Sequence, residues 1–342
     1  MKENNINCST TVNPCLNGRR RSTVQKKAAL SLSTLLIINL LSPAVLDKLK
    51  TVREKAEKED KSAAISIDME SSLADKKTGE LFSGKSIRER GNWNVDPHLE
   101  KLVDRQIKIW QMSVSEKTGK GPVDTIGNWL SKVSAYRDYI AGAADKYSIN
   151  INFLTALLAW ESRGNPRAES KKAARGFGQF MKATASEKGL IVDDFIDERL
   201  DPCKSINAAA SYIGDAARRH RKYSFLLTAY YNYGPGNVRK NIKKFGLNES
   251  LFYKLPKETK MHYINVFAIK KLLDNPEDYG FSYVVRPSFK KIFKNSRPYI
   301  IKRGESLSMI AKKNNLNIKT ILLNNPKILN PKRVRHGTVI TI

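Results

Sequence analysis

The stretch LLAWESRGNPRAESKKAARGFGQFM, Leu157–Met181, begins as an apolar helix and turns polar at Glu161. Upstream, Asn150 or Asn152 can cap that helix, and Phe153, Leu154, Leu157 and Leu158 supply its apolar side chains. Gly164, Asn165 and Pro166 end it. A lone carboxylate therefore closes a buried helix and meets a basic loop, where Gly176 and Gly178 allow close backbone approach. A carboxyl walled by apolar side chains loses hydration when charged, which favours the protonated form that a general acid needs. Trp160, Phe177, Phe180 and Met181 are the candidates for that wall. The plainer alternative is a surface glutamate that caps a helix or pairs with Arg163 or Arg175.

Helical spacing extends on both sides. Leu99, Leu102, Val103, Ile107 and Trp110 recur at helical intervals, and Ile126, Trp129, Leu130, Val133, Tyr136, Ile140 and Tyr147 share one face of a second helix. Further helices fit 206–219, 225–231, 238–245 and 257–273. Strand-like alternation is almost missing between Ile126 and Leu273, so this part reads as an all-α domain. From Tyr299 the pattern changes to strand, two short helices and strand, a βααβ module ending at Ile342. The chain divides into 1–46, a basic n-region with a signal peptide or anchor; 47–122, a charged linker and helical extension; 123–275, the helical domain; 276–298, a linker; and 299–342, the small module.

The 342 residues suggest two or three domains. Lys and Arg number 61 against 33 Asp and Glu, a net charge of +28 that points to an anionic partner: nucleic acid, a membrane surface or an acidic wall polymer. Arg19, Arg20, Arg21, Lys26 and Lys27 precede an uncharged run, Ala28–Leu46, with small residues at Ser42-Pro43-Ala44. That order reads as an export signal, either cleaved or retained as an inner-membrane anchor. The expected location is the periplasm or cell envelope. Export and the lack of a nucleic-acid motif argue against nucleic acid. Three dispersed cysteines and four scattered histidines give no metal-ligand spacing.

Downstream of the glycine loop lies AYYNYGPGNV, Ala229–Val238, where Tyr231 and Asn232 precede a Gly-Pro-Gly turn. An aromatic face and an amide suit a sugar ring, as does Gln179 with its donor and acceptor. Four ordered motifs then resemble the soluble-lytic-transglycosylase domain family. Glu161-Ser162 with Asn165-Pro166, Ala168, Ser170, Gly176 and Gln179 resembles its first motif, and LDPCKSINAAASYI (200–213) its middle helix. AYYNYGPGNV resembles A-Y-N-x-G-P-G, and LPKETKMHYI (255–264) resembles P-x-E-T-x-x-Y. The C-terminal module resembles a LysM domain through Tyr299, Gly304-Glu305-Ser306-Leu307, Ile310-Ala311, Asn324-Asn325-Pro326 and Gly337. It carries nine basic residues and one acid, Glu305, a charge that adds affinity for anionic wall polymer.

The resemblance implies a mainly α protein: a lysozyme-like catalytic domain plus the small βααβ LysM module. It implies cleavage of the β-1,4 bond between N-acetylmuramic acid and N-acetylglucosamine in peptidoglycan, without cofactor or metal. Glu161 would be the single acid/base, Ser162 would orient the sugar, and Gln179, Tyr231, Asn232 and Tyr263 would line the glycan groove. The LysM module would bind N-acetylglucosamine-containing glycan. The glycine loop holds no second carboxylate, which favours an intramolecular route to a 1,6-anhydro product. Alternatives are a hydrolytic muramidase of the same fold, using Glu187, Asp193 or Asp194, and a non-catalytic wall-binding scaffold. The chain departs from the family pattern at Ala173 (usually glycine), Gly178 (usually bulkier), Lys182 (usually proline) and Tyr233 (usually small).

Overall fold

The computed structural model describes residues 92–289 and 296–342. The export run Ala28–Leu46 and the other readings upstream of residue 92 lie outside them. No described helix is long and apolar enough to cross a membrane.

The helical domain is built around α4 (Ile151–Ser162). Every residue from Phe153 to Ala159 is buried, so this helix is apolar all round and lies inside the core. Asn150 caps it by accepting the Phe153 amide at 3.0 Å. Arg163 and Gly164, both left-handed, end it. The preceding helical pattern is two helices, α2 (Pro122–Ser134) and α3 (Arg137–Tyr147), with a break at Ala135–Tyr136 that lets both pack against α4.

The remaining helices wrap this core: α1 (Glu100–Met112), α5 (Lys182–Glu187), α6 (Pro202–Arg219), α7 (Phe225–Tyr233), α8 (Pro235–Phe245), α9 (Leu251–Lys254) and α10 (Lys257–Asp274). The long α10 packs on α4, α7 and α1.

Two segments expected to be peripheral belong to this body. The Asp96 carboxylate accepts hydrogen bonds from the amides of Ser224 (3.2 Å) and Phe225 (2.9 Å) and from the Ser224 hydroxyl (2.8 Å). It thus neutralises the amino end of α7 from outside that helix. The segment after α10 is no free linker up to residue 289. The Arg286 amide bonds Ser134 Oγ at 2.9 Å, and Phe289 stacks on Tyr136 at 4.5 Å.

The small module has β1 (Pro298–Ile300) antiparallel to β2 (Val339–Thr341), with Tyr299 opposite Ile340. Two helices, α11 (Leu307–Lys313) and α12 (Ile318–Asn324), lie between them in sequence. Leu307, Ile310, Ile321 and Ile340 form its own core. Asn325 joins α12 to β2, bonding the Ile321 carbonyl and both backbone groups of Thr341 at 2.7–2.8 Å. The module docks on the loop after α5: Asp197 donates its amide to the Lys327 carbonyl (2.9 Å), and Leu329 donates to Phe195 (3.2 Å). Arg335 pairs with Asp193 at 2.8 Å, and Lys327 with Asp201 at 3.4 Å.

Candidate active site

A cleft of about 260 Å³ opens at the carboxyl end of α4. Its lining includes Glu161, Gln179, Phe180, Met181, Tyr212, Tyr231, Asn232 and Tyr233, drawn from α4, the glycine loop, α6 and α7. Among the described residues Glu161 is the only carboxylate lining it.

The glycine loop is held from behind by buried charge. Asp197 is fully buried and binds Arg199 (2.7 Å) and Arg175 (3.1 Å). Burial alone would raise its carboxyl, but the bonds from Arg199 and Arg175 overcome that and hold it below the usual carboxylate range. Arg199 in turn donates to the carbonyls of Ala173 (2.9 Å) and Phe180 (3.0 Å), spanning the loop. At Gly176, φ is +79°, and an added Cβ would lie 1.7 Å from the Arg199 carbonyl oxygen. Only glycine fits there.

Arg175 is taken by Glu169 and Asp197, and Arg163 lies over the Trp129 ring, so neither arginine is the partner of Glu161. Phe180 and Met181 do line the cleft, but Trp160 packs edge-on against Trp129 and Phe177 is fully buried against Tyr136. The apolar wall is therefore only half formed. The other side of the carboxyl is polar: His262 Nε2 lies 2.7 Å from Glu161 Oε1.

Tyr231 donates its hydroxyl to the Gly178 carbonyl at 2.7 Å. Burial first, and then the charge of Glu161, push its phenol well above its ordinary value, so it remains a donor. Asn232 accepts from Thr259 at 2.8 Å, which leaves its amide NH₂ available to the cleft. Gln179 spends both amide protons on the carbonyls of Ala168 (3.1 Å) and Gly176 (2.9 Å), so it offers the cleft an acceptor and no donor.

Residues 138–250 match the Transglycosylase SLT domain, and residues 299–342 match the LysM domain. The chain carries both domains. The chain is 33% identical over 137 residues to "Membrane-bound lytic murein transglycosylase F" of Shewanella loihica, covering 37% of this chain and 27% of that protein. It is 30% identical over 153 residues to "Membrane-bound lytic murein transglycosylase D" of Escherichia coli, covering 44% and 34%. It is also 34% identical over 106 residues to "Peptidoglycan transglycosylase gp16" of phage T7, covering 31% and 8%. The chain thus spans about a third or less of these three relatives.

The cleft brings together Glu161, Gln179, Tyr231 and Asn232, and two residues expected there do not line it. Ser162 is buried; its hydroxyl donates to the Leu158 carbonyl (2.7 Å) and accepts the Gly164 amide (3.1 Å), so it closes α4 rather than facing a sugar. Tyr263 is 1% exposed and its hydroxyl accepts the Asp96 amide at 3.0 Å, on the far side from the cleft lining. The physical reason is the 100° turn per helical residue: one position along α10 changes face. Counting P-x-E-T-x-x-Y from Pro256 puts the tyrosine place at His262, not Tyr263.

The departures from the SLT pattern have local readings. Ala173 adopts φ +61°, a conformation that costs a non-glycine residue about 1 kcal/mol. A Cβ at Gly178 would meet the Phe180 ring at 2.5 Å, so a bulkier residue requires that ring to move. Lys182 is the first residue of α5, a position that proline favours.

Proposed function

We propose that this chain is an exported lytic transglycosylase that cleaves the β-1,4 bond between N-acetylmuramic acid and N-acetylglucosamine in peptidoglycan. The observation that carries this reading is the single carboxylate, Glu161, in a cleft lined by tyrosines and amides. The SLT and LysM matches and the names of the relatives support it.

Glu161 protonates the leaving oxygen as the C1–O bond breaks, and the substrate's acetamido group stabilises the sugar cation. The glutamate then takes the proton of the C6 hydroxyl as that oxygen bonds C1. The product ends in 1,6-anhydromuramic acid, and neither water nor cofactor is consumed. Tyr231, Asn232 and Gln179 hold the glycan, with Tyr231 keeping the loop at Gly178 closed. Asp193, one of the carboxylates a hydrolytic route could use, accepts the Phe195 and Ile196 amides and pairs with Arg335 instead. The LysM domain holds N-acetylglucosamine-containing glycan, its basic surface facing anionic wall polymer. The place of action is the cell envelope, with the N-terminal run as export signal or inner-membrane anchor.

The test is mass spectrometry of products released from sacculi. Anhydromuramic ends are expected; reducing ends, one water heavier, would mean hydrolysis. Glu161→Gln should lower release at least about 1,000-fold while wall binding persists. Wall binding without release by the unaltered chain would favour a scaffold.

A further inference from the structure

We propose that His262 is the positioning residue of Glu161: it fixes Oε1 so that Oε2 alone exchanges a proton with the glycan. This inference rests on the reading of Glu161 as the acid/base. His262 lies in the first half of α10, which packs directly on α4, and it is 5% exposed. Its Nε2 lies 2.7 Å from Glu161 Oε1. Its Nδ1 is buried and has no hydrogen-bond partner. The imidazole therefore has one polar engagement among the described residues, and that engagement is the candidate acid.

The unpartnered Nδ1 selects the tautomer. A buried N–H without an acceptor is a lost hydrogen bond, whereas a bare ring nitrogen forgoes only a weaker acceptance. The proton therefore sits on Nε2, which donates to Oε1. That bond is compatible with both halves of the cycle. When Glu161 is protonated on Oε2, Oε1 is a carbonyl oxygen and accepts. When Oε2 has given its proton to the leaving oxygen, the carboxylate accepts more strongly. When the C6 hydroxyl gives up its proton, Oε2 takes it back. His262 gains and loses nothing over the cycle; it steers which oxygen reacts.

The neighbours leave this role to His262. Glu161 is the only ionisable residue of α4. From α7, Tyr231 and Tyr233 line the cleft with Glu161, and the Tyr231 hydroxyl is committed to Gly178. On α10 itself, Glu258 is exposed, and Lys270 and Lys271 pair with Asp274, Glu100 and Asp104 far along the helix. A tyrosine at position 262, as the family pattern has it, could also donate to Oε1.

The test uses the full chain and three measurements. In ¹⁵N NMR of the ring, the proton is expected on Nε2; a proton resting on Nδ1 overturns the proposal. In kinetics on sacculi, His262→Phe should lower kcat roughly 10- to 100-fold with KM within about twofold, less than the roughly 100- to 10,000-fold that acid/base catalysis itself contributes. His262→Gln, whose amide can donate, should recover kcat to within about fivefold of the unaltered chain. A folded His262→Phe protein with unchanged kcat, or a folded His262→Gln protein no better than His262→Phe, overturns it. Glu161→Gln is run alongside. If that variant is inactive and His262→Phe is not impaired, the positioning role alone falls; if Glu161→Gln still cleaves, the acid/base reading falls and takes this inference with it.

Discussion

The back and the front of the glycine loop follow opposite electrostatic plans. Behind it, Arg175, Asp197, Arg199, Glu198 and Lys204 form buried or half-buried ion pairs. In front, the cleft holds tyrosines, amides and apolar side chains around one carboxylate. The difference teaches what each surface is for. Paired charges at the back bond one another and the loop carbonyls, and so set the path of the backbone. The front keeps its one carboxylate without a fixed counter-charge of the Arg or Lys kind, which suits the proton exchange proposed for it.

Breaking the back should cost stability first. Gly176→Ala forces a Cβ onto the Arg199 carbonyl and is expected to destabilise by about 3 kcal/mol or more, read by urea denaturation. A stable variant would mean that the loop has another path. Asp197→Asn leaves Arg175 and Arg199 short of a buried charge partner and should cost about 3 kcal/mol. Its pH dependence follows from sign. The folded carboxyl lies below the unfolded value of about 3.9, so its stabilisation is complete above that value and is lost as pH falls through the folded value. Melting temperature of the unaltered chain should drop below about pH 4, and the Asn variant should lack that share of the drop.

The front should respond less. Tyr231→Phe removes the donor to the Gly178 carbonyl and is expected to cost about 1 to 2 kcal/mol by thermal melting, with weaker glycan binding. Smallest of all, Arg335→Ala breaks a half-exposed pair with Asp193 and should change stability by no more than about 0.5 kcal/mol. A larger loss would show that the LysM dock depends on charge rather than on its backbone bonds.

Much of the fold was legible because its signals are local. The Asn150 cap, the all-round apolar α4 and the Gly-Pro start of α8 all lie within a few residues of what they control. Glu161 was legible for the same reason, at the end of a helix that could only be core. What escaped the sequence depends on partners distant in the chain. Asp96 caps a helix that begins 129 residues later, at Phe225. The break at Ala135–Tyr136 leaves the apolar spacing almost unchanged, so periodicity alone runs through it. In sequence His262 is one of four scattered histidines, and its neighbour Tyr263 reads as the groove residue. The motif spacing from Pro256 could have separated them, since neighbouring helical residues face different sides. The packing of residues 276–289 carried no signal stronger than a few dispersed aromatics.

Asp197 has one more consequence, best put in terms of mechanics. Its amide is bonded to Lys327 of the LysM domain, and its carboxylate is bonded to Arg175 of the glycine loop and to Arg199 behind that loop. A single residue thus touches both the LysM domain and the glycine loop. In the proposed reading, pull on a wall-bound module would reach the glycine loop through this residue, alongside the contacts of Leu329 with Phe195 and of Arg335 with Asp193.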